Sequence, residues 1–135
     1  MHQPGLLNQL HKQQQISPAS PQQQRRLQQQ EHAQCSRLAR QDDYLSTYDL
    51  LFRYISLWLL EQGFVLTAIR PHRTLAAICA QWEPTAVVAQ CIATRHGLKK
   101  YRTGSATQQQ DHATLHRLIT RLRNTALISL PGTRT

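Results

Sequence analysis

The stretch that determines the fold reads DDYLSTYDLLFRYISLWLLEQ, from Asp42 to Gln62. Aromatic and aliphatic residues recur within it at spacings of four and three, which place them on one face of an α-helix. The residues on that face are Tyr44, Tyr48, Leu51, Ile55 and Trp58. Two carboxylates stand at its N-terminal end, where the helix dipole favours negative charge, and Gly63 marks its end. We therefore expect Asp42–Gln62 to be the central helix of the core.

Four other segments carry helical signals of periodicity or of proline at the first helical position. They are residues 22–40 after Ser20-Pro21, a helix starting at Pro71, a helix from Pro84 towards Tyr101, and residues 107–128. Residues 64–69 have the composition of a strand, but no second strand is recognisable, so we expect an extended connection without a sheet. The sequence thus predicts an all-α fold, an antiparallel helical bundle of four to five helices.

The N-terminal region differs in composition from the rest of the chain. The first 41 residues hold thirteen glutamines and few aliphatic residues. We therefore expect residues 1–20 to be a disordered, Gln-rich arm, residues 21–130 to form a single helical-bundle domain, and residues 131–135 to be a loose tail.

The balance of charge favours an acidic partner. The formal net charge is +9 and the pI is near 10.4, which is typical of proteins that bind nucleic acid, although a solvated basic surface would look the same. The three cysteines show no CxxC spacing and are expected to be reduced, with Cys79 and Cys91 among apolar residues. No signal peptide or membrane span is recognisable, so a cytoplasmic protein without a membrane partner is expected.

The densest basic cluster is RHGLKKYR, from Arg95 to Arg102. Arg95 falls on an apolar helical face, so its guanidinium either reaches out to solvent or is held in a partly buried site for an anion. His96 and Tyr101 could bring an acid–base group and a hydroxyl to a phosphate held by Arg95, which are the parts of metal-free RNA cleavage. The candidate catalytic residues are therefore Arg95, His96 and Tyr101. The candidate nucleic-acid contacts are Arg95, Lys99, Lys100 and Arg102. The alternative is that the trailing cations only complement the helix dipole.

Other chemistry finds little support in the sequence. His112 and His116 have the spacing of two metal ligands on a helix, but no HExxH glutamate or acidic cluster accompanies them. There is no GxSxG motif and no glycine-rich phosphate loop. The sequence therefore predicts neither a metal site nor a cofactor.

The order of features from residue 42 to residue 102 resembles the HEPN family of small helical-bundle proteins. The matching segments are YDLLFRYISLWLLEQGF (48–64), PHRTLAAI (71–78) and RHGLKKY (95–101). The last of these is similar to the family's arginine-led motif. It departs from that motif because the position of the terminal histidine is filled by Lys100 or Tyr101.

The resemblance implies an all-α bundle, often a homodimer with two such motifs facing a shared cleft. Many members are metal-independent ribonucleases that act as toxins beside an antitoxin partner, and others only bind nucleotides, RNA or proteins. Two further readings stay open. Residues 74–99 have the spacing of a DNA-binding helix-turn-helix, with Arg95 and Lys99 on its second helix. The Gln-rich arm would also suit a non-enzymatic protein that binds a partner.

Overall fold

The computed structural model describes residues 4–126. The elements, in chain order, are α1 (Pro4–Lys12), β1 (Ile16–Pro18), α2 (Pro21–Leu38), α3 (Tyr44–Glu61), β2 (Phe64–Leu66), α4 (Pro71–Cys79), α5 (Thr85–Tyr101) and α6 (Gln108–Ala126). The prediction of a mostly helical bundle is confirmed, with six helices in the described residues where four to five were expected. The end of the predicted last helix and the predicted tail at 131–135 lie outside them. No helix within residues 4–126 combines the length and apolarity needed to cross a bilayer.

Helix α3 is the centre of the core because it is buried around most of its circumference. Its N-terminus is capped by Asp43, whose Oδ2 accepts a hydrogen bond of 3.1 Å from the Ser46 N–H. The residues of the predicted face are all buried, and so are others on the remaining sides, including Leu57, Leu59 and Leu60. Helices α2 and α6 make the most extensive contacts with α3, and α4, α5 and β2 also pack against it.

Residues 4–18 are part of the packed fold, so the expectation of a disordered arm over residues 1–20 is wrong for them, and residues 1–3 lie outside the described residues. Residues 4–18 contain a helix and a strand, and Leu7, Leu10 and Ile16 are buried in the main core. Gln15 is also buried and donates a 2.7 Å hydrogen bond to Thr74 Oγ1. A few well-spaced apolar side chains are therefore enough to dock this glutamine-rich segment.

A small sheet ties the N-terminal segment to the middle of the chain. Strand β1 pairs antiparallel with β2, with Ile16 opposite Leu66 and Pro18 opposite Phe64. The expectation that residues 64–69 form an unpaired connection, and that the fold has no sheet, was wrong for residues 64–66. Its partner, β1, is not recognisable from the sequence because it is only three residues long and ends in proline, which cannot donate a hydrogen bond to a neighbouring strand.

A buried carboxylate fixes helix α5 to helix α6. The Oδ2 of Asp111 accepts hydrogen bonds from Thr94 Oγ1 at 2.7 Å and from Thr107 Oγ1 at 2.9 Å. Thr94 is itself buried and directly precedes Arg95 in the chain. This interaction therefore holds the half of α5 that carries the basic cluster.

Candidate functional site

The guanidinium of Arg95 lies against the core helix. Arg95 is partly buried, and its Cζ is 5.1 Å from the centroid of the Tyr48 ring. This is the geometry of a cation–π interaction, in which the negative face of the ring attracts the cation. Tyr48 is wholly buried on α3, so the ring is a fixed support. The sequence left open whether the guanidinium of Arg95 reaches out to solvent or lies in a partly buried site. In the structure it is partly buried.

A histidine completes this group of side chains from a third helix. His72, the second residue of α4, has its Nδ1 2.9 Å from the Tyr48 hydroxyl oxygen. The edge of its ring also meets Phe52, with ring centroids 5.2 Å apart. We call Arg95, Tyr48 and His72 the arginine cluster.

The electrostatics of the arginine cluster keep its phenol and imidazole neutral near pH 7. Burial raises the pKa of Tyr48, and the positive charge of Arg95 only partly opposes this shift. Burial also lowers the pKa of His72, and the charges of Arg95 and Lys99 lower it further, while Asp49 acts in the opposite direction. A neutral imidazole therefore stands beside a fixed cation, where it can accept a proton.

Arg95 has no carboxylate partner within ion-pair distance among the described residues. Two other described arginines have one: Arg53 pairs with Glu31 at 3.2 Å and Arg117 with Glu83 at 3.3 Å. Arg95 makes no hydrogen bond to another described side chain either, so its N–H donors are not committed within this part of the protein. The guanidinium is thus positioned by the core and able to receive an anion from solvent.

The candidate catalytic residues from the sequence divide into two groups. Arg95 belongs to the arginine cluster, whereas His96 is exposed and its ring meets that of Tyr101, with centroids 6.3 Å apart. The Nζ of Lys100 lies 5.5 Å from the centroid of the same Tyr101 ring. Consecutive helical residues point about 100° apart, which explains why Arg95 and His96 contact different neighbours.

The remaining cations of the predicted interface line the end of α5. Lys99, Lys100 and Arg102 are all exposed. Lys99 is one helical turn after Arg95, and its charge lowers the pKa of His72. Arg102 ends the helix in a left-handed conformation with φ of 55°. The predicted contacts thus extend as a basic edge from Arg95 to the C-terminal end of the helix.

Tyr48 and His72 are the members of the arginine cluster that sequence reasoning did not assign to the site. Tyr48 fitted the pattern of core residues, and His72 fell into an apolar set on its own helix. The available signal was the histidine that follows the helix-starting proline in PHRTLAAI (71–78).

A second group of polar side chains lies where α6 packs against the first turn of α3. His112 and His116 of α6 meet Asp42, which the reasoning from sequence did not connect with them. The Asp42 Oδ1 is 3.8 Å from His112 Nε2 and 3.5 Å from His116 Nε2. The sequence predicted no metal site because no carboxylate stands close to His112 and His116 in the chain. In the structure, the carboxylate of Asp42 lies beside both histidines.

Comparisons of the chain with models of protein families, with curated proteins and with solved structures found no match.

Proposed function

We propose that this protein is a HEPN-like RNA-binding module in which Arg95 holds a backbone phosphate. The observation that carries the proposal is the guanidinium of Arg95, which is supported by the Tyr48 ring and has no carboxylate partner among the described residues. A guanidinium that is already positioned loses less entropy when it forms two parallel hydrogen bonds to a phosphate. The net charge of +9 adds a long-range attraction for a polyanion.

The exposed face of α5 favours single-stranded RNA over duplex DNA. In a helix-turn-helix protein the N-terminal residues of the recognition helix read the bases. The exposed positions of that part of α5 are Thr85, Ala86, Ala89, Gln90 and Ala93. Three of the five are alanines, which offer no hydrogen-bonding groups to base edges, and the amide of Gln90 donates to Thr94 and Thr107 within the protein. The cations lie at the opposite end, beside Tyr101, whose side chain is 64% exposed. An exposed aromatic ring next to a phosphate site suits an unpaired base, which can stack on it.

The arginine cluster also offers a base and a cation for metal-independent RNA cleavage, the activity of many members of the HEPN family that the sequence resembles. We assign to His72 the role of base, because its lowered pKa leaves the imidazole neutral. His72 would act in the tautomer whose Nδ1–H donates to the Tyr48 hydroxyl oxygen. Its Nε2 would then be free to take the proton of a ribose 2′-hydroxyl as the 2′-oxygen attacks the adjacent phosphorus. Arg95 and Lys99 would offset the charge that develops on the phosphate oxygens. The 5′-oxygen would leave with a proton from solvent, giving a 2′,3′-cyclic phosphate and a 5′-hydroxyl end.

The binding proposal is tested with a labelled single-stranded RNA in EDTA, using fluorescence anisotropy on wild type, Arg95→Gln and Arg121→Gln. Arg121 is exposed on α6, so its substitution removes the same charge from a different surface. Loss of one charge-assisted contact costs about 1.5–3 kcal/mol, so Arg95→Gln should weaken binding about tenfold or more. Arg121→Gln should change the affinity much less. Equal effects of the two substitutions would show that only net charge matters and would refute the site.

Cleavage is read from the same mixtures on a gel. Wild type should release fragments with cyclic phosphate ends, and RNA with 2′-deoxyribose at every position should stay intact. Binding without cleavage would leave the protein as an RNA-binding module and remove the catalytic assignment of His72. Tighter binding to duplex DNA than to single-stranded RNA would favour the helix-turn-helix reading instead.

A further inference from the structure

We propose that Asp42, His112 and His116 form a binding site for a divalent transition metal of the Zn²⁺ class, outside the arginine cluster. Each residue offers one ligand atom, and these atoms all lie within 4.8 Å of one another. The two histidines are four apart on α6, and their rings stack with centroids 4.9 Å apart at an angle of 21°. Asp42 approaches them from the segment that leads into α3. We call these three residues the histidine–aspartate group.

The two distances from Asp42 to the histidines are close to those between ligand atoms of a tetrahedral metal site. Bonds of about 2.0–2.1 Å to zinc place neighbouring ligand atoms about 3.3–3.4 Å apart. The Asp42 Oδ1 is already 3.5 Å from His116 Nε2 and 3.8 Å from His112 Nε2. The ligand atoms of His112 and His116 lie within 4.8 Å of each other, so closing the site around one ion requires side-chain movements of up to about 1.4 Å. The side chain of Asp42 is 88% exposed, so it is free to move.

The donor set indicates the class of metal. Two imidazole nitrogens and one carboxylate suit Zn²⁺, Co²⁺, Ni²⁺ or Cu²⁺, whereas Mg²⁺ and Ca²⁺ prefer oxygen ligands alone. Three protein ligands leave a fourth tetrahedral position for water. The side chains of His112 and His116 are 23% and 55% exposed, so an ion can enter from solvent.

The surroundings of His112 indicate which of its ring nitrogens carries the proton before a metal binds. The Nε2 of His112 is 2.9 Å from Thr47 Oγ1, and the Thr47 hydroxyl donates to the Asp43 carbonyl oxygen, also at 2.9 Å. Because that hydroxyl proton is already used, the Nε2–H of His112 is the donor towards Thr47. A metal would bind at Nε2 once this proton has moved to Nδ1, because a metal-bound imidazole is neutral and unprotonated at the ligand atom. The bound ion would then join the N-terminal end of α3 to α6 and stabilise the folded state.

The test is thermal unfolding of the full chain, freed of metal, with Zn²⁺ or with Mg²⁺ at equal concentration. The variants are Asp42→Asn and His116→Ala, with His96→Gln as the matched control that removes an exposed histidine elsewhere on the surface. Asp42 and His116 are exposed enough for both variants to fold, which circular dichroism without metal checks. We expect Zn²⁺ to raise the Tm of wild type and of His96→Gln, and Mg²⁺ to leave it unchanged. Most of the rise should be lost in Asp42→Asn and in His116→Ala.

A second measurement separates a defined site from loose association with surface histidines. Co²⁺ bound by tetrahedral nitrogen and oxygen ligands gives a visible absorption band that hexahydrated Co²⁺ does not give with comparable strength. Wild type should develop this band to saturation at one equivalent, and Asp42→Asn should not. The proposal is overturned if Zn²⁺ leaves the wild-type Tm unchanged, or if the two site variants respond to Zn²⁺ as wild type does.

Discussion

The Cζ of Arg95 lies 5.1 Å from the centroid of the Tyr48 ring. Because Tyr48 is wholly buried on the central helix, the core itself sets the position of this cation. The contact is partly desolvated, and cation–π contacts range from about 0.5–1 kcal/mol when exposed to about 2 kcal/mol when desolvated. The ring and the hydroxyl of Tyr48 contact different residues: the ring lies against Arg95, and the hydroxyl forms a hydrogen bond with His72.

The contributions of the Tyr48 ring and of its hydroxyl can be measured separately with a pair of substitutions. Tyr48→Phe keeps the ring and removes only the hydrogen bond to His72, so it should lower the free energy of unfolding by about 1–2 kcal/mol. RNA affinity should stay near that of wild type. Tyr48→Leu removes the ring, and RNA affinity should fall along with stability. Urea unfolding, followed by tryptophan fluorescence, and anisotropy measure the two effects. If the two variants bind RNA equally well, the ring does not position Arg95.

His72 should titrate below the ordinary histidine pKa in the free protein. The shift has burial as its largest cause, followed by the charge of Arg95. The unfolded chain therefore binds a proton on His72 more readily than the folded protein does. The contribution of His72 to stability is present above its unfolded pKa and is lost as the pH falls through the folded pKa. NMR of the imidazole C–H signals as a function of pH measures the titration directly.

Arg95→Gln should raise the pKa of His72 towards its ordinary value, because it removes a neighbouring positive charge. Arg121→Gln, which removes a charge from α6, should leave the titration of His72 unchanged. A bound 2′-deoxy oligonucleotide, which cannot be cleaved at the 2′-oxygen, should raise the pKa of His72 in wild type, because its phosphate offsets the charge of Arg95. A titration of His72 that is the same in wild type and Arg95→Gln would contradict the arrangement of the arginine cluster.

The cysteines should be unreactive in the folded protein. All three are buried, and burial raises the pKa of Cys91 to about 11 and that of Cys79 to about 12. Thiolate is the reactive form, and little of it is present at pH 8. A disulfide reagent such as DTNB should therefore label the native protein slowly, at a rate set by opening of the fold, and label the chain rapidly in urea. Prompt labelling of one native thiol would show that one of these sites opens locally.

The helical part of the fold could be predicted because its signals are local. Apolar spacing and the flanking proline and glycine residues placed α3 and α5 within two residues of their observed ends. The sheet depends on contacts between distant positions, such as Ile16 with Leu66. No periodicity within a three-residue strand reports its partner, so the sequence pattern could not reveal it.

The candidate site could be predicted only in part, for the same reason. Arg95 was recognisable as a cation on an apolar helical face. Tyr48 and His72 contribute from two other helices, and each fitted the apolar pattern of its own helix. The histidine–aspartate group was missed similarly, because Asp42 is about 70 positions before His112 in the chain. Spacing rules identify residues on one helix, whereas these sites form where separate helices meet.

The docking of α1 is tested by comparing Leu10→Ala with Asn8→Ala. Leu10 is buried in the main core, whereas Asn8 is exposed on the same helix. Leu10→Ala should lower the free energy of unfolding by about 2–4 kcal/mol through loss of buried apolar surface and the cavity that remains. Asn8→Ala should change it by no more than about 0.5 kcal/mol, since it alters only the surface. Urea unfolding detected by the fluorescence of Trp58 in the core reports both values. Equal stability of the two variants would mean that the glutamine-rich segment does not contribute to the core, as its composition alone had suggested.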